Sequence, residues 1–229
     1  GDEVGKINAL SVMDVGDIQF GFPSQLTVKT FRGSGNIISI QRESNLSGPI
    51  FDKAEHTVIG YLNSMFAMER PLPLTISFTM EQMYGPVDGD SSSLALYYAI
   101  LSSIANMPIR QDIGITASLS QHGQIQPIGG VNEKIEGFFT ACRAAGNLTS
   151  TQGVVISRTN INDLALNEEV VQAVEGGMFN VWAITNINEG IQLFMGKDAG
   201  VRDRYGRFPK DSLYWSVEQS LSRLTSPKK

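Results

Sequence analysis

Three side chains in this 229-residue sequence have the type and setting for hydrolytic chemistry: Ser91, Lys134 and Thr116. Ser91 follows the loop Gly85-Pro86-Val87-Asp88-Gly89-Asp90 and opens a helix predicted over 91–106, directly after a strand. A hydroxyl so placed sits at a helix N-terminus, where unpaired backbone N–H groups point outward. Those near residues 91–93, Ser92 among them, could stabilise a developing oxyanion. A plainer reading stands beside this one. Asp90 is a good N-cap, and three serines in a first turn need no catalytic role.

Lys134 lies in a helix predicted over 131–145, with Val131, Ile135, Phe138, Phe139 and Cys142 on its buried side. Lys134 stands four residues before Phe138 and so shares the edge of that stripe. A lysine there either snorkels to water or loses solvent, and desolvation lowers its pKa by favouring the neutral amine. An amine titrating near about 7–8 can serve as a general base, taking the Ser91 proton and later protonating a leaving amine. Thr116 belongs to an alternating strand whose apolar face is Ile113, Ile115, Ala117 and Leu119. It points to the opposite face with Gly114 and Ser118, where its hydroxyl could accept a hydrogen bond from Lys134 and aim it. An ordinary β-branched strand residue is the competing account.

The elements that must position these groups read as follows. Strands are predicted at 7–15, 25–31 and 36–41, separated by turn signals at Gly16-Asp17, Gly21-Phe22-Pro23 and Gly33-Ser34-Gly35. They suggest a separate, smaller N-terminal β layer. Ser47 can cap a helix that begins near Pro49 and carries Ile50, Ala54, Val58, Tyr61 and Met65. Strand and helix then alternate through 74–196, with strands at 74–80, 113–119, 124–128, 154–156 and 179–184. Helices are expected at 91–106, 131–145, 168–175 and 189–196. The fold class is therefore α/β or α+β. The sequence divides into a domain over 1–200 and a polar extension, 201–229, ending in a short helix.

Composition removes several functions. A net charge of −5 argues against a nucleic-acid role, because phosphate neutralisation needs clustered Lys and Arg. One cysteine excludes an intrachain disulfide, and two histidines give a His-based zinc site little to work with. No metal is expected. No apolar run is long enough to span a bilayer, and no secretory signal is visible, so a cytoplasmic location is expected. Without an initiator Met the chain reads as a fragment of something longer. Gly1-Asp2-Glu3-Val4-Gly5-Lys6 falls short of a phosphate loop in spacing and lacks the Ser/Thr after its lysine. Ala54-Glu55-His56-Thr57 and Gly89-Asp90-Ser91 mimic pieces of a trypsin-like protease. They stand too close together, and a double β-barrel cannot be built from alternating strands and helices.

Over about residues 5–200 the chain resembles the proteolytic domain of Lon, the Ser–Lys ATP-dependent protease family, and most of all its archaeal-type branch. The resemblance rests on Gly89-Asp90-Ser91 and on Pro127-Ile128-Gly129-Gly130-Val131-Asn132-Glu133-Lys134-Ile135. It is supported by Leu46-Ser47-Gly48-Pro49-Ile50-Phe51-Asp52-Lys53-Ala54, by Thr116-Ala117-Ser118, and by Val154-Val155-Ile156 with Asn160 and Asp163-Leu164. It implies Ser91 as nucleophile, Lys134 as base, Thr116 orienting the lysine, and Asp88 and Asp90 shaping the mouth of the site. It implies no cofactor in this domain. It also implies a homo-hexameric ring that takes unfolded or damaged proteins, fed by an AAA+ ATPase module that brings ATP and Mg and lies outside this chain. Ser118 stands where the family has glutamate, and Phe51 where it usually has histidine. Two alternatives remain open: a non-catalytic Lon-like scaffold or ring-former attached to an ATPase, and a small-molecule phosphotransferase of related topology, for which Gly89-Asp90-Ser91-Ser92-Ser93 would be a poor phosphate loop.

Overall fold

The computed structural model describes residues 1–225, so the last four residues of the 201–229 extension lie outside it. The strands are β1 Asp2–Val4, β2 Lys6–Val15, β3 Ile18–Arg32, β4 Ile37–Ser39, β5 Leu74–Met80, β6 Pro108–Arg110, β7 Ile113–Thr116, β8 Ser118–Leu119, β9 Ile125–Gln126, β10 Gly153–Ser157 and β11 Asn180–Ile184. The helices are α1 Ile40–Glu43, α2 Pro49–Phe66, α3 Ser93–Ala105, α4 Val131–Ala145, α5 Glu168–Glu175, α6 Ile187–Met195 and α7 Leu213–Thr225, with a 3₁₀ turn at Arg158–Asp163.

Seven strands form one mixed sheet in the order β11-β10-β7-β2-β3-β5-β4. β11, β10, β7 and β2 run parallel, and β3 is antiparallel to both β2 and β5. Parallel neighbours need a crossover, which α4 supplies between β7 and β10 and α5 between β10 and β11. Both faces of the sheet are covered. Val155 of β10 packs into a cluster with α2, α3, α6 and α7, while Val154 and Ile156 pack on the other face with α4 and α5. That is why 154–156 reads as an unbroken apolar run and not as an alternation. Helix α3 is buried around nearly its whole circumference, the position of a helix that is apolar on every side.

The mixed α/β class agrees with expectation; the arrangement of the early strands does not. They do not form a smaller layer of their own but supply β2 and β3 at the centre of the main sheet. Gly21-Phe22-Pro23 is no turn either, because β3 runs straight through it, paired with β2 from Val15↔Ile18 to Lys6↔Thr27. Gly21 is there for proximity. A Cβ on it would collide with the backbone of Glu133 and Lys134, and one on Gly137 would collide with the Gly21 carbonyl. This strand and α4 therefore touch backbone to backbone at Lys134.

Helix α2 is rotated from the expected stripe. Phe51, Ala54, Glu55, Val58 and Leu62 are buried, and Ile50 is half exposed. Gly48, not Ser47, is its N-cap and makes no side-chain cap. Asp88 does that work from across the chain, accepting from Ile50 N at 3.0 Å and Phe51 N at 2.9 Å. At the other end of the chain, α7 packs on α3, burying Leu213, Val217 and Leu221 in the larger core, with Tyr97 Oη donating to Tyr214 Oη at 3.1 Å. Arg202 secures the approach to α7. It donates to the Met65 carbonyl in the last turn of α2 at 2.9 Å and stacks over Phe208.

The Gly21 contact yields a prediction. Gly21→Ala should destabilise the domain by about 2 kcal/mol or more, since overpacking against backbone cannot be relieved by a rotamer change. Urea unfolding of the variant against wild type measures it.

Candidate active site

Ser91 lies in the connection between β5 and α3, two residues before the helix proper. The helix was expected to open at 91 with Asp90 as its cap. Instead Ser92 is the N-cap, without a side-chain cap bond, and α3 begins at Ser93. The connection is laced to the β7–β8 junction: Ala117 N donates to the Ser91 carbonyl at 3.0 Å, and Leu94 N donates to the Ala117 carbonyl at 3.3 Å. The Asp90 carboxylate accepts from Ser118 Oγ at 2.9 Å. Ser93 Oγ, buried, accepts from Leu119 N at 2.8 Å. Ser93 N is used by the Asp90 carbonyl at 3.1 Å. Among the described residues that leaves the N–H groups of Ser91 and Ser92 without a protein acceptor, beside the Ser91 hydroxyl.

Lys134 is only 4% exposed, on the first turn of α4. Gly130, at φ 67°, is the N-cap in the left-handed region that glycine tolerates, and it starts the helix at this spot. Asn160, buried, braces the preceding loop: Ile128 N donates to its Oδ1 at 3.0 Å, and its Nδ2 donates to the Ile128 carbonyl at 2.9 Å. The Lys134 ammonium donates to the Gly129 carbonyl at 3.0 Å. Burial pushes the amine down from the usual 10.5 to about 8, against the opposing pull of Asp90 and then Glu133. Among the described residues no carboxylate pairs with it directly.

Ser91 and Lys134 line one cleft of about 930 Å³. Its walls are the β2–β3 hairpin, the 82–92 loop, Phe51 of α2 and Met80 of β5. Asp88 and Asp90 both border it, yet Asp88 is committed to the start of α2 and Asp90 to Ser118. Thr116, fully buried, ends β7 on the face of Gly114, against which Phe138 of α4 packs. Its hydroxyl has no hydrogen-bond partner among the described residues. An orphaned buried hydroxyl is costly, and this one lies on the face covered by the Lys134 helix. Cys142 is half buried beside the α4 core, and burial pushes its thiol up to about 11, so it is a packing residue and not a nucleophile at neutral pH.

Two positional roles were missed in the sequence. The α2 cap supplied by Asp88 joins residues 37 positions apart in the chain. The Asn160 brace joins residues 32 apart. Asn160 could be quoted as part of a resembling segment, but nothing local announced its partner.

A mixed α/β domain carrying a buried amine and a loop hydroxyl in one cleft is the frame in which the comparisons fall. The family model of the Lon protease (S16) C-terminal proteolytic domain matches residues 72–196, more than half of the chain, which belongs to that family. It is 40% identical over 197 residues to a Lon protease homolog of Escherichia coli strain K12, covering 85% of this chain and 33% of that protein. It is 37% identical over 226 residues to a Lon protease homolog of Haemophilus influenzae, covering 98% of this chain and 36% of that protein. To the archaeal Lon protease of Thermoplasma volcanium it is 28% identical over 185 residues, 76% of this chain and 26% of that protein. The chain thus spans about a third of the length of the first two relatives. Among the described residues no helix is long and apolar enough to cross a membrane.

The state of Lys134 has a thermodynamic signature. Its folded pKa lies below its unfolded value, so between about pH 8 and 10.5 the unfolded chain binds more protons and stability rises with pH. Lys134→Met should therefore stabilise the domain below pH 8 by roughly 3 kcal/mol. The gain should shrink to nothing as pH approaches 10.5. Denaturant titrations at pH 7 and pH 10 test the sign.

Proposed function

We propose that this domain is the proteolytic part of an ATP-dependent serine endopeptidase in which Ser91 is the nucleophile and Lys134 the general base. The observation that carries the reading is the dry Lys134 amine, titrating near 8, in the same cleft as a loop hydroxyl flanked by unused N–H groups. A neutral amine can take a serine proton near physiological pH, whereas an exposed lysine cannot.

Lys134 must first exchange its bond to the Gly129 carbonyl for one to Ser91 Oγ, a side-chain rotation within the cleft. Ser91 Oγ then attacks the peptide carbonyl carbon while its proton passes to Lys134 Nζ. The oxyanion is met by the N–H groups of Ser91 and Ser92. On collapse, the C–N bond breaks and Lys134 gives its proton to the leaving amine. Lys134 next takes a proton from water, whose oxygen attacks the Ser91 ester, and that proton returns to Ser91 Oγ as the carboxylic product leaves. Thr116 Oγ1 supplies the acceptor that aims the protonated amine, and Asp90 holds the nucleophile loop through Ser118. Substrates are unfolded or damaged polypeptides, delivered by an AAA+ ATPase module outside this chain that uses ATP and Mg, within a homo-hexameric ring in the cytoplasm. The resemblance of the site motifs to the Lon family supports these last features.

A serine-directed covalent probe is expected to modify Ser91, located by mass spectrometry. The modification rate should rise with pH to a plateau through an inflection near 8. Ser91→Ala, Lys134→Ala and Lys134→Arg should each lower peptide hydrolysis by at least about 10³-fold with the fold intact, the last because a guanidinium stays protonated. Full hydrolysis by either alanine variant would refute the dyad and leave a ring-forming scaffold as the reading. Thr116→Val should fold normally and lower kcat more than it changes KM.

A further inference from the structure

Glu55 lies on the face of α2 turned into the protein, only 2% exposed, and takes no part in the chemistry above. It accepts from Ser39 Oγ at 2.5 Å and from Arg42 Nη1 at 3.1 Å. Ser39 ends the edge strand β4, and Arg42 belongs to α1. The buried carboxylate therefore grips both ends of a short segment crossing the edge of the sheet.

That segment is tied by hydrogen bonds to the loop that leads into Ser91. Gln41, 2% exposed and next to Arg42, brackets Met80 with its amide: Met80 N donates to its Oε1 at 3.0 Å and its Nε2 donates to the Met80 carbonyl at 3.1 Å. Met80 walls the cleft. The Gln41 carbonyl accepts from Leu46 N at 2.8 Å, the Leu46 carbonyl from Val87 N at 2.8 Å, and the Val87 carbonyl from Gly48 N at 2.8 Å. Asp88 then clamps the start of α2. Ser91 follows three residues later.

We propose that Glu55 is a positioning residue for the nucleophile loop, acting through Arg42 and the 39–48 strap. This rests on the reading of Ser91 as nucleophile. The physical logic is a buried charge retained at a cost in stability. The charged groups acting on Glu55 are Arg42, with Glu43 behind it on α1, and Asp52 on its own helix. The neighbouring β4, β5 and α3 contain no charged residue. Burial dominates and raises the carboxyl from 4.5 to about 7, while Ser39 and Arg42 pull it back. The folded chain therefore binds more protons than the unfolded one between these values. Stability that is full below pH 4.5 is lost as pH rises through 7. Above pH 7 the ionised carboxylate holds Arg42 and the strap taut; below it the ion pair is gone and the loop loses its anchor. A residue kept only for packing would do better as glutamine.

The test compares Glu55→Gln with wild type in the full-length protein, reading the rate of Ser91 modification by a serine-directed probe from pH 5.5 to 9 together with the melting temperature. Glutamine mimics the protonated carboxyl. The variant is expected to melt no lower than wild type at pH 8.5 yet react about tenfold more slowly, as loss of positioning requires. The ratio of wild-type to variant rates should fall toward one at pH 5.5, with an inflection near 7 separate from that of Lys134. Arg42→Met, which removes the other half of the pair, should show the same loss at pH 8.5. A ratio independent of pH, equal rates at pH 8.5, or a loss of rate that tracks a lowered melting temperature would overturn the proposal. Wild type unmodified at Ser91 would instead refute the dyad itself.

Discussion

An ammonium kept out of water is the constraint around which this domain is arranged. Exposed, Lys134 would keep the usual value of 10.5; buried on the first turn of α4, its amine is pushed down to about 8. Holding it there requires that nothing neutralise the penalty fully. Among the described residues the amine donates to the Gly129 carbonyl alone and feels two carboxylates only at a distance. A direct ion pair would relieve the desolvation and restore the high pKa. The site is thus a place where the fold carries a local cost for a chemical property, as strained functional sites do.

The surrounding architecture makes the burial possible. Gly21 and Gly137 let β3 and α4 approach until backbone meets backbone beside Lys134. The Asn160 brace fixes the loop that turns into α4, and the αL conformation of Gly130 sets where the helix starts. On the opposite wall, the 85–92 loop is tied down by Asp88, by the Asp90–Ser118 bond and by the backbone of Ala117. Neither Ser91 nor Lys134 sits on a free segment: each is fixed to a rigid neighbour by polar contacts that span long stretches of chain.

Buried charge recurs at Glu55, with the opposite sign and the same physics. Lys134 and Glu55 are both largely dry and both shifted toward their neutral forms. They differ in their partners. Among the described residues Lys134 has no carboxylate within ion-pair distance, the feature on which its proposed role as base depends, whereas Glu55 is paired with Arg42, the contact on which its proposed role as a tie depends. Whether a buried ionisable group is reactive or structural is decided by what faces it, not by burial itself.

Ser91 lies two residues before the helix it was expected to open, and Thr116 ends a strand expected to run to 119, but the mixed α/β class, the bounds of α4 and α5 and the place of Lys134 on the edge of its helix's buried stripe are legible in the chain's local patterns. These follow from periodicity and capping, which act over a few residues and are written locally. The same patterns misplaced the early strands, took Gly21 for a turn, gave α2 the wrong cap, and had no means of finding Glu55. A glycine used for close approach looks the same in sequence as one used for a turn. A glutamate one residue from an apolar position looks like a solvated one. Long-range packing settles these, because the groups that meet them, Glu133, Asp88, Ser39 and Arg42, come from distant parts of the chain. Desolvation likewise is a property of the whole packed interior, so the lowered pKa of Lys134 existed only as a possibility until the fold closed over it.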